Sequence, residues 1–561
     1  MGELFHILFY KLKSNLKINT DFSFDGIIKT VGSGLLYVVF ALAAFYLTRT
    51  TINYLLLEAH IGQYLLHRFI SMALFVFFIT VSVGNIIVAY TTLYRSSEVS
   101  YLLTKPVSFT NIFIIKFLDN FFYSSATLFF IGVAVIAGYG SYFHLPFSFY
   151  VIVVFLIFIP FMLIAACMAA IILFGLMRLS AIIGALSVVG GLVSAYIVSI
   201  FLFFKFTNPP MLVKKVMQYY PHTDQYFFQF DPQFSKYLPS HWVAEFLYWT
   251  TKGNNPTGFL YLFQLLILAA VLFGFLVLIA KVYYRKSWLL SSDLRFFKKR
   301  GDRKPKSYFQ KKSIFEHQFE VLYKKEILQF FREPTQFFHL GIMILFMLIF
   351  NISIMHVNLG RVQPFLYSVF YTVVYLFTAF LLASLAVRFA YPAVSIEAQS
   401  FWKIKSSPLS LNKFFSVKYL LYLIPTIILG FLLVVFSNWE HRYEHQLIIY
   451  IFFNVLFLSI TLVTLNISAG CLFSNYDEKN PIRVASTQGA SLTFLLSLIY
   501  LVIASAMIFN IFDNYFISKR LKEYLSEELI LKSLAITSII SAAISFTAYL
   551  IGLKSLKRDL P

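Results

Sequence analysis

His222, Asp224, Asp231, His241 and Glu245 share one segment and are of the types that hold a divalent metal or move protons. Their spacing follows no metal-ligand signature, and YYPHTDQYFFQF, which contains the first two, reads as an aromatic segment at a membrane interface. Two other stretches carry a different chemistry. EVSYLLTKPVSFTNIFIIK (Glu98–Lys116) and EAQSFWKIKSSPLSLNKFFSVK (Glu397–Lys418) each combine a glutamate, aromatics, a proline, hydroxyls and a lysine between long apolar runs. Such a mixture suits a short helix that displays rings and charges to a partner. The two cysteines, Cys167 and Cys471, both fall in apolar runs, which supports neither a disulfide framework nor a zinc site and assigns them to packing.

The elements that must position these stretches are membrane spans. The chain has 561 residues, 59% hydrophobic and 13% charged, with 67 phenylalanines. A spanning helix needs roughly 20 apolar residues, because unpaired backbone polar groups are costly in hydrocarbon. Runs near 30–48, 69–93, 118–138, 147–177, 180–204, 258–281, 335–356, 364–388, 419–438, 446–474, 486–511 and 533–553 predict about twelve. The N-terminal MGELFHILFYKLKSNLK lacks the pattern of a cleaved signal peptide.

The net charge of +21 is unevenly spread: residues 284–333 hold 14 Lys and Arg, whereas 205–256 hold five. Positive-inside bias places the first segment in the cytoplasm, and its basic residues suit an anionic lipid surface. Twelve spans then put both termini inside. No RNA- or DNA-binding module accompanies the charge, so nucleic acid is not an expected partner.

The chain also repeats itself. Pro106 and Pro408 each precede a lysine, Lys116 and Lys418, by ten residues, and each follows a glutamate, Glu98 or Glu397. Arg178 with LSAIIGA and Arg483 with VASTQGA form a second pair, placing Gly184 opposite Gly489. Phe5, Leu8, Phe9, Leu12 and Leu16 recur at helical spacing before the first span, as do Phe315, Phe319, Leu322, Ile327 and Phe330 before the seventh. In the latter helix Glu316, Glu320, Lys324 and Lys325 are the expected wet side, and both helices are expected in the headgroup plane.

These features predict an all-α integral membrane protein with two parallel six-helix repeats, interfacial elbow helices and short cytoplasmic coupling helices. The halves are expected at 1–283 and 313–561, joined by a basic linker at 284–312. In the second coupling segment Ser395 can cap a helix carrying Glu397 in its first turn. Pro106 and Pro408 should stop the short helices, and Ser108 or Ser410 can cap the next ones.

EAQSFWKIKSSPLSLNKFFSVKYLLYL, YKKEILQFFREPTQFFHLGIMI and LPSHWVAEFLYWTTKGN together resemble the membrane subunits, or permeases, of type-2 ABC exporters, especially the long two-half kind. The resemblance implies a non-enzymatic permease, an exporter in direction, in a bacterial plasma membrane. It implies ATP and magnesium on separate ABC ATPase subunits, two of them, that dock on coupling helices near 97–106 and 395–408. Glu98, Tyr101, Pro106, Lys116, Glu397, Phe401, Trp402, Pro408 and Lys418 are the coupling residues on this reading.

The sequence contains no G-x-x-x-x-G-K-[ST] phosphate loop, which points to an ATPase on another chain. The predicted spans carry no Asp, Glu, Lys or Arg at their centres, where such residues mark ion pathways. Asp119 reads as a boundary residue, His339 as an interfacial anchor, and Arg178 and Arg483 as span ends. An ion-coupled secondary transporter and an integral-membrane enzyme built around His222 and Asp224 are the alternative readings.

Overall fold

The computed structural model describes residues 9, 24–58, 62–94, 96–183, 185–207, 233–293, 317–332, 334–355, 364–437, 445–476, 481–521 and 527–557. The described residues are helical, with no strand among them. Ten helices there are long and apolar enough to cross a membrane, and Phe129–Tyr142 and His339–Leu348 are shorter apolar helices. These two fall where the third and seventh of the twelve expected spans lie. Two compact units emerge: Met1–Asn19 with Tyr37–Arg300, and Thr20–Leu36 with Gly301–Pro561.

α1 (Phe24–Asn53) begins in the second unit and belongs to the first from Tyr37 onward. In the first unit α2 (Gly62–Tyr94), the short α3 (Ser97–Leu102) and α4 (Phe109–Tyr142) then precede a short helix and a π turn, Ile152–Phe158, that runs into α5 (Ile159–Ile183). α6 (Ala185–Thr207), α7 (Pro239–Thr251) and α8 (Asn255–Asp293) follow. Helices apolar on every side leave burial to be decided by neighbours. The Phe147–Ser180 stretch is 61% buried and Tyr37–Leu57 only 6%, so α5 is the central helix and α1 is peripheral. α2, α8 and α6 pack on α5, and α7 bridges α2 and α8.

The second unit contains α9 (His317–Arg332), α10 (Pro334–Met355), α11 (Pro364–Leu385), the short α12 (Phe401–Ser406), α13 (Leu411–Ser437), α14 (His445–Leu472), α15 (Gln488–Leu521) and α16 (Glu527–Leu556). α14 is central here, packing on α16, α13 and α15, while α11 packs on α15. Past α11, the chain loosens into a π turn, Ala386–Ala390, and a 3-10 turn, Tyr391–Ala393. Pro392 explains that change, since it has no N–H to donate and disfavours helical geometry in the residue before it.

Gly470 of α14 lies against that turn: a Cβ built on it would meet the Tyr391 carbonyl oxygen at 2.1 Å. Gly470→Ala must therefore displace backbone, and a loss of roughly 1–3 kcal/mol is expected. A thermal melt in detergent checks it, with Gly175→Ala, which meets nothing within 4 Å, as the comparison.

Of the amphipathic stripe at Phe5–Leu16, only Phe9 lies within the described residues, and it is helical. Phe315 and Glu316 also lie outside them. For α9 the expected wet side is corrected at Lys324, which is buried, as is Glu326 two residues on. Charges can turn inward there because partners of opposite sign meet them, as described next. The Arg178 and Arg483 surroundings also differ, since Arg178 continues α5 whereas Arg483 sits in a single turn, Pro481–Val484, before α15 begins. Gly184 lies outside the described residues.

Candidate functional site: two lysine–glutamate braces

Each unit folds its glutamate onto its lysine. In the first, α3 ends after Leu102, Pro106 follows in an exposed turn, and the Ser108 hydroxyl accepts from the Asn111 N–H at 3.2 Å to cap α4. α4 then returns past α3, so Lys116 Nζ donates to Glu98 and lies 3.4 Å from Asp119 Oδ2. The Lys116 side chain is 1% exposed and that of Glu98 45%. Asp119, expected to mark a boundary, is thus part of the brace.

In the second unit a 3-10 turn, Ser395–Ser400, leads into α12. Ser395 does not cap it; its hydroxyl accepts from the Asn475 backbone N–H at 3.1 Å and ties the turn to the chain after α14. Pro408 is exposed, and the Ser410 hydroxyl accepts from the Lys413 N–H at 3.3 Å at the start of α13. Lys418 Nζ donates to Glu397 Oε1 and to Glu326 Oε2, both at 2.8 Å, and Lys325 Nζ reaches the other Glu397 oxygen at 2.6 Å. Three elements meet here: α9, the Glu397 turn and α13. Lys418 also stands 5.0 Å from the centre of the Phe414 ring.

The aromatics divide into anchors and displayed rings. Phe401 is 1% exposed and packs on Phe414 and Tyr476 at centroid distances of 5.8 and 5.2 Å, so it fastens α12 rather than facing a partner. Burial raises the Tyr476 hydroxyl above its ordinary pKa. Trp402 is 55% exposed and Tyr101 60%. A lysine ammonium sits over each displayed ring, Lys105 at 5.0 Å from the centre of Tyr101 and Lys403 at 5.8 Å from that of Trp402. Both segments therefore pair a brace built on a buried lysine with an exposed, lysine-backed ring; the glutamate is buried only in the second.

Glu326 escaped the sequence reading, and Lys325 was read only as part of the wet side, although a signal for Glu326 was present. Leu322, Glu326 and Phe330 are spaced i, i+4 and i+8, which puts Glu326 in the apolar stripe of α9. A carboxylate there needs a buried cation, and Lys418 is one.

The five residues first considered for metal or acid–base work do not assemble as such. His222, Asp224 and Asp231 lie outside the described residues. His241 and Glu245, on α7, face Arg68 of α2: Nη1 donates to His241 Nδ1 at 2.8 Å and Nη2 to Glu245 Oε1 at 2.6 Å. Trp249 Nε1 donates to the other carboxylate oxygen at 2.9 Å. Arg68 also lies 4.9 Å from the centre of the Tyr64 ring. No group of three His, Cys, Asp or Glu suited to a metal occurs among the described residues. His339 is buried and accepts from the Arg388 guanidinium at 2.8 Å.

Burial, with Arg68 and Lys236 nearby, holds His241 down to about 3 from 6.5. The unfolded chain then takes up a proton near pH 6.5 that the folded chain refuses until about pH 3. Stability is full above pH 6.5 and falls as pH drops through that window, by at most about 1.4 kcal/mol per unit. Melting temperatures between pH 8 and 4 should show this slope reduced in His241→Asn; an unchanged slope would place the proton elsewhere.

The chain belongs to the family described as "Putative ATP-binding cassette", whose model matches residues 23–559. No curated protein and no solved structure matches the chain. The family match corrects four expectations. Its description is that of an ATP-binding cassette, not of a permease family, so the assignment to the two-half ABC exporter permeases and the function of permease subunit drawn from it are both overturned. The expectations of a non-enzymatic chain, and of ATP and magnesium held only by a separate partner, fall with them, because the description attaches ATP to this chain's own family.

Whether the residues fit that nucleotide is a separate matter. A phosphate loop needs a strand, a glycine-rich turn ending in Lys and Ser or Thr, and the helix behind it. The sequence contains no G-x-x-x-x-G-K-[ST], and the described residues include no strand from which such a turn could spring. They do not fit ATP by that route.

Proposed function

We propose that the chain is a multi-pass membrane component of an ABC transport assembly, and that the segments near 97–106 and 395–408 are the docking segments by which it grips another component. The observation that carries this reading is the shared construction of the two segments, each with a solvent-facing ring, Tyr101 or Trp402, backed by a lysine and rooted by a glutamate paired with a buried lysine. An exposed aromatic on a rigid base makes a good contact anchor, because little side-chain freedom is lost on binding. The braces pass displacement inward, since Lys116 and Lys418 belong to the helices that enter the bundle behind each segment.

On this reading the two shorter apolar helices complete twelve spans, six in each unit, with halves at 1–283 and 313–561 and a basic linker between. Four long spans separate the two segments, Phe147–Ser180, Gly190–Thr207, Asn255–Ser291 and Tyr367–Glu397, and the two shorter helices make six. Either count is even, so both segments emerge on one face. The basic 284–333 region makes that face, and both termini, cytoplasmic at the plasma membrane.

Purification of the full chain from its native membranes tests the proposal. The assembly should survive with the wild-type chain and be lost with the Tyr101→Glu, Trp402→Glu double variant; equal recovery of the same partner with both chains overturns it. The partner's own ability to hydrolyse ATP reveals which side of the assembly it represents.

A further inference from the structure

Within the second unit the Tyr375 side chain of α11 is 5% exposed, and its hydroxyl has no hydrogen-bond partner among the described residues. An unpaired hydroxyl in such a place carries the full cost of desolvation unless water reaches it. Two small cavities adjoin this ring. One, of about 10 Å³, is lined by Tyr375 with Asn454, Tyr500 and Thr537; the other, of about 20 Å³, by Tyr375 with Thr378 and Ser437. Each has the room of about one water, and each presents three or four polar side chains among apolar neighbours, which supplies the two to four partners that a held water needs.

Thr537 donates to the Leu534 carbonyl at 3.0 Å, which leaves its hydroxyl oxygen able to accept. Asn454 uses one amide hydrogen on the Tyr450 carbonyl at 2.9 Å and retains its carbonyl oxygen as an acceptor. Beyond the first cavity the polar series continues: the Tyr500 and Ser541 hydroxyls are 2.6 Å apart, and Thr461 lies 3.4 Å from Tyr500.

We infer that Tyr375 is the centre of an internal hydration site, with one water on each side of its hydroxyl, joining Thr378 and Ser437 to the Asn454, Tyr500 and Thr537 cluster. The ligand is water itself, held by hydroxyls and an amide. Because waters bridge the groups, α11 can shift against α14, α15 and α16 without stranding a buried hydroxyl.

Hydroxyl-radical footprinting by X-ray radiolysis of the intact chain in lipid nanodiscs tests this, because bound water generates the radical beside the ring it touches. Tyr375 should be oxidised within about tenfold of exposed Tyr101, whereas buried Tyr391, away from both cavities, should not; Tyr375 at the level of Tyr391 overturns the inference. A second reading is the melting temperature of Tyr375→Phe. If the hydroxyl holds water, its removal lowers the melting temperature by roughly 2 °C or more. A rise, the response of a dry, orphaned hydroxyl, overturns the inference as well.

Discussion

Lys418→Met is expected to destabilise the second unit by roughly 3–5 kcal/mol, seen as a large fall in melting temperature or loss of the monodisperse protein in detergent. The side chains of Lys418, Glu397 and Glu326 are 2, 4 and 7% exposed, so removing the cation strands two buried carboxylates. Lys325 can answer for Glu397 only in part, since it approaches from the half-exposed side. Lys116→Met removes an equally buried ammonium but leaves Glu98 45% exposed and Asp119 22% exposed, where water screens them, so about 1 kcal/mol or less is expected. Adding Glu326→Gln to Lys418→Met should recover part of the loss, because the residues share one network and their effects do not add. Similar falls for Lys418→Met and Lys116→Met would show that the second brace is no more structural than the first.

Tyr101→Glu and Trp402→Glu are expected to act on association and not on folding. Central aromatic anchors contribute about 2 kcal/mol or more each, so each change should weaken partner binding by roughly thirtyfold, and the pair by far more. Exposed positions of this kind shift stability by about 0.5 kcal/mol or less. Phe401→Ala is the internal contrast: its ring is buried against Phe414 and Tyr476, and roughly 3–5 kcal/mol of stability should be lost. Titration of the partner against detergent-solubilised protein, paired with thermal melts, separates the two kinds of effect.

The membrane class and the position of most spans were legible in the sequence because apolar run length is a direct physical requirement of the bilayer. Glu98, Glu397, Lys116 and Lys418 were visible as residues, but not as pairs. A separation of 18 or 21 residues carries no local periodicity; only the turn at Pro106 or Pro408 brings the chain back. Local pattern also cannot say which of adjacent Phe401 and Trp402 points inward, and the structure buries the first. The inward carboxylate of α9, Glu326, was missed because helical spacing marks a face without naming a partner, and Lys418 lies 92 residues from it. Arg68 was missed for the same reason, with its carboxylate 177 residues away. The family itself was misjudged, since the motifs that resembled permeases are a short helix, a proline and a lysine, which report on mechanics and not on the chemistry by which the matched family is described.

Both proposed docking segments must face the cytoplasm if one partner is to grip them. Single cysteines at two exposed sites, Ser100→Cys and Lys403→Cys, can be challenged with a membrane-impermeant maleimide in intact cells and in inside-out vesicles, against a quiet background because Cys167 and Cys471 are buried. Both positions are predicted to react in the vesicles and neither in intact cells. Labelling of one from each side would contradict the account.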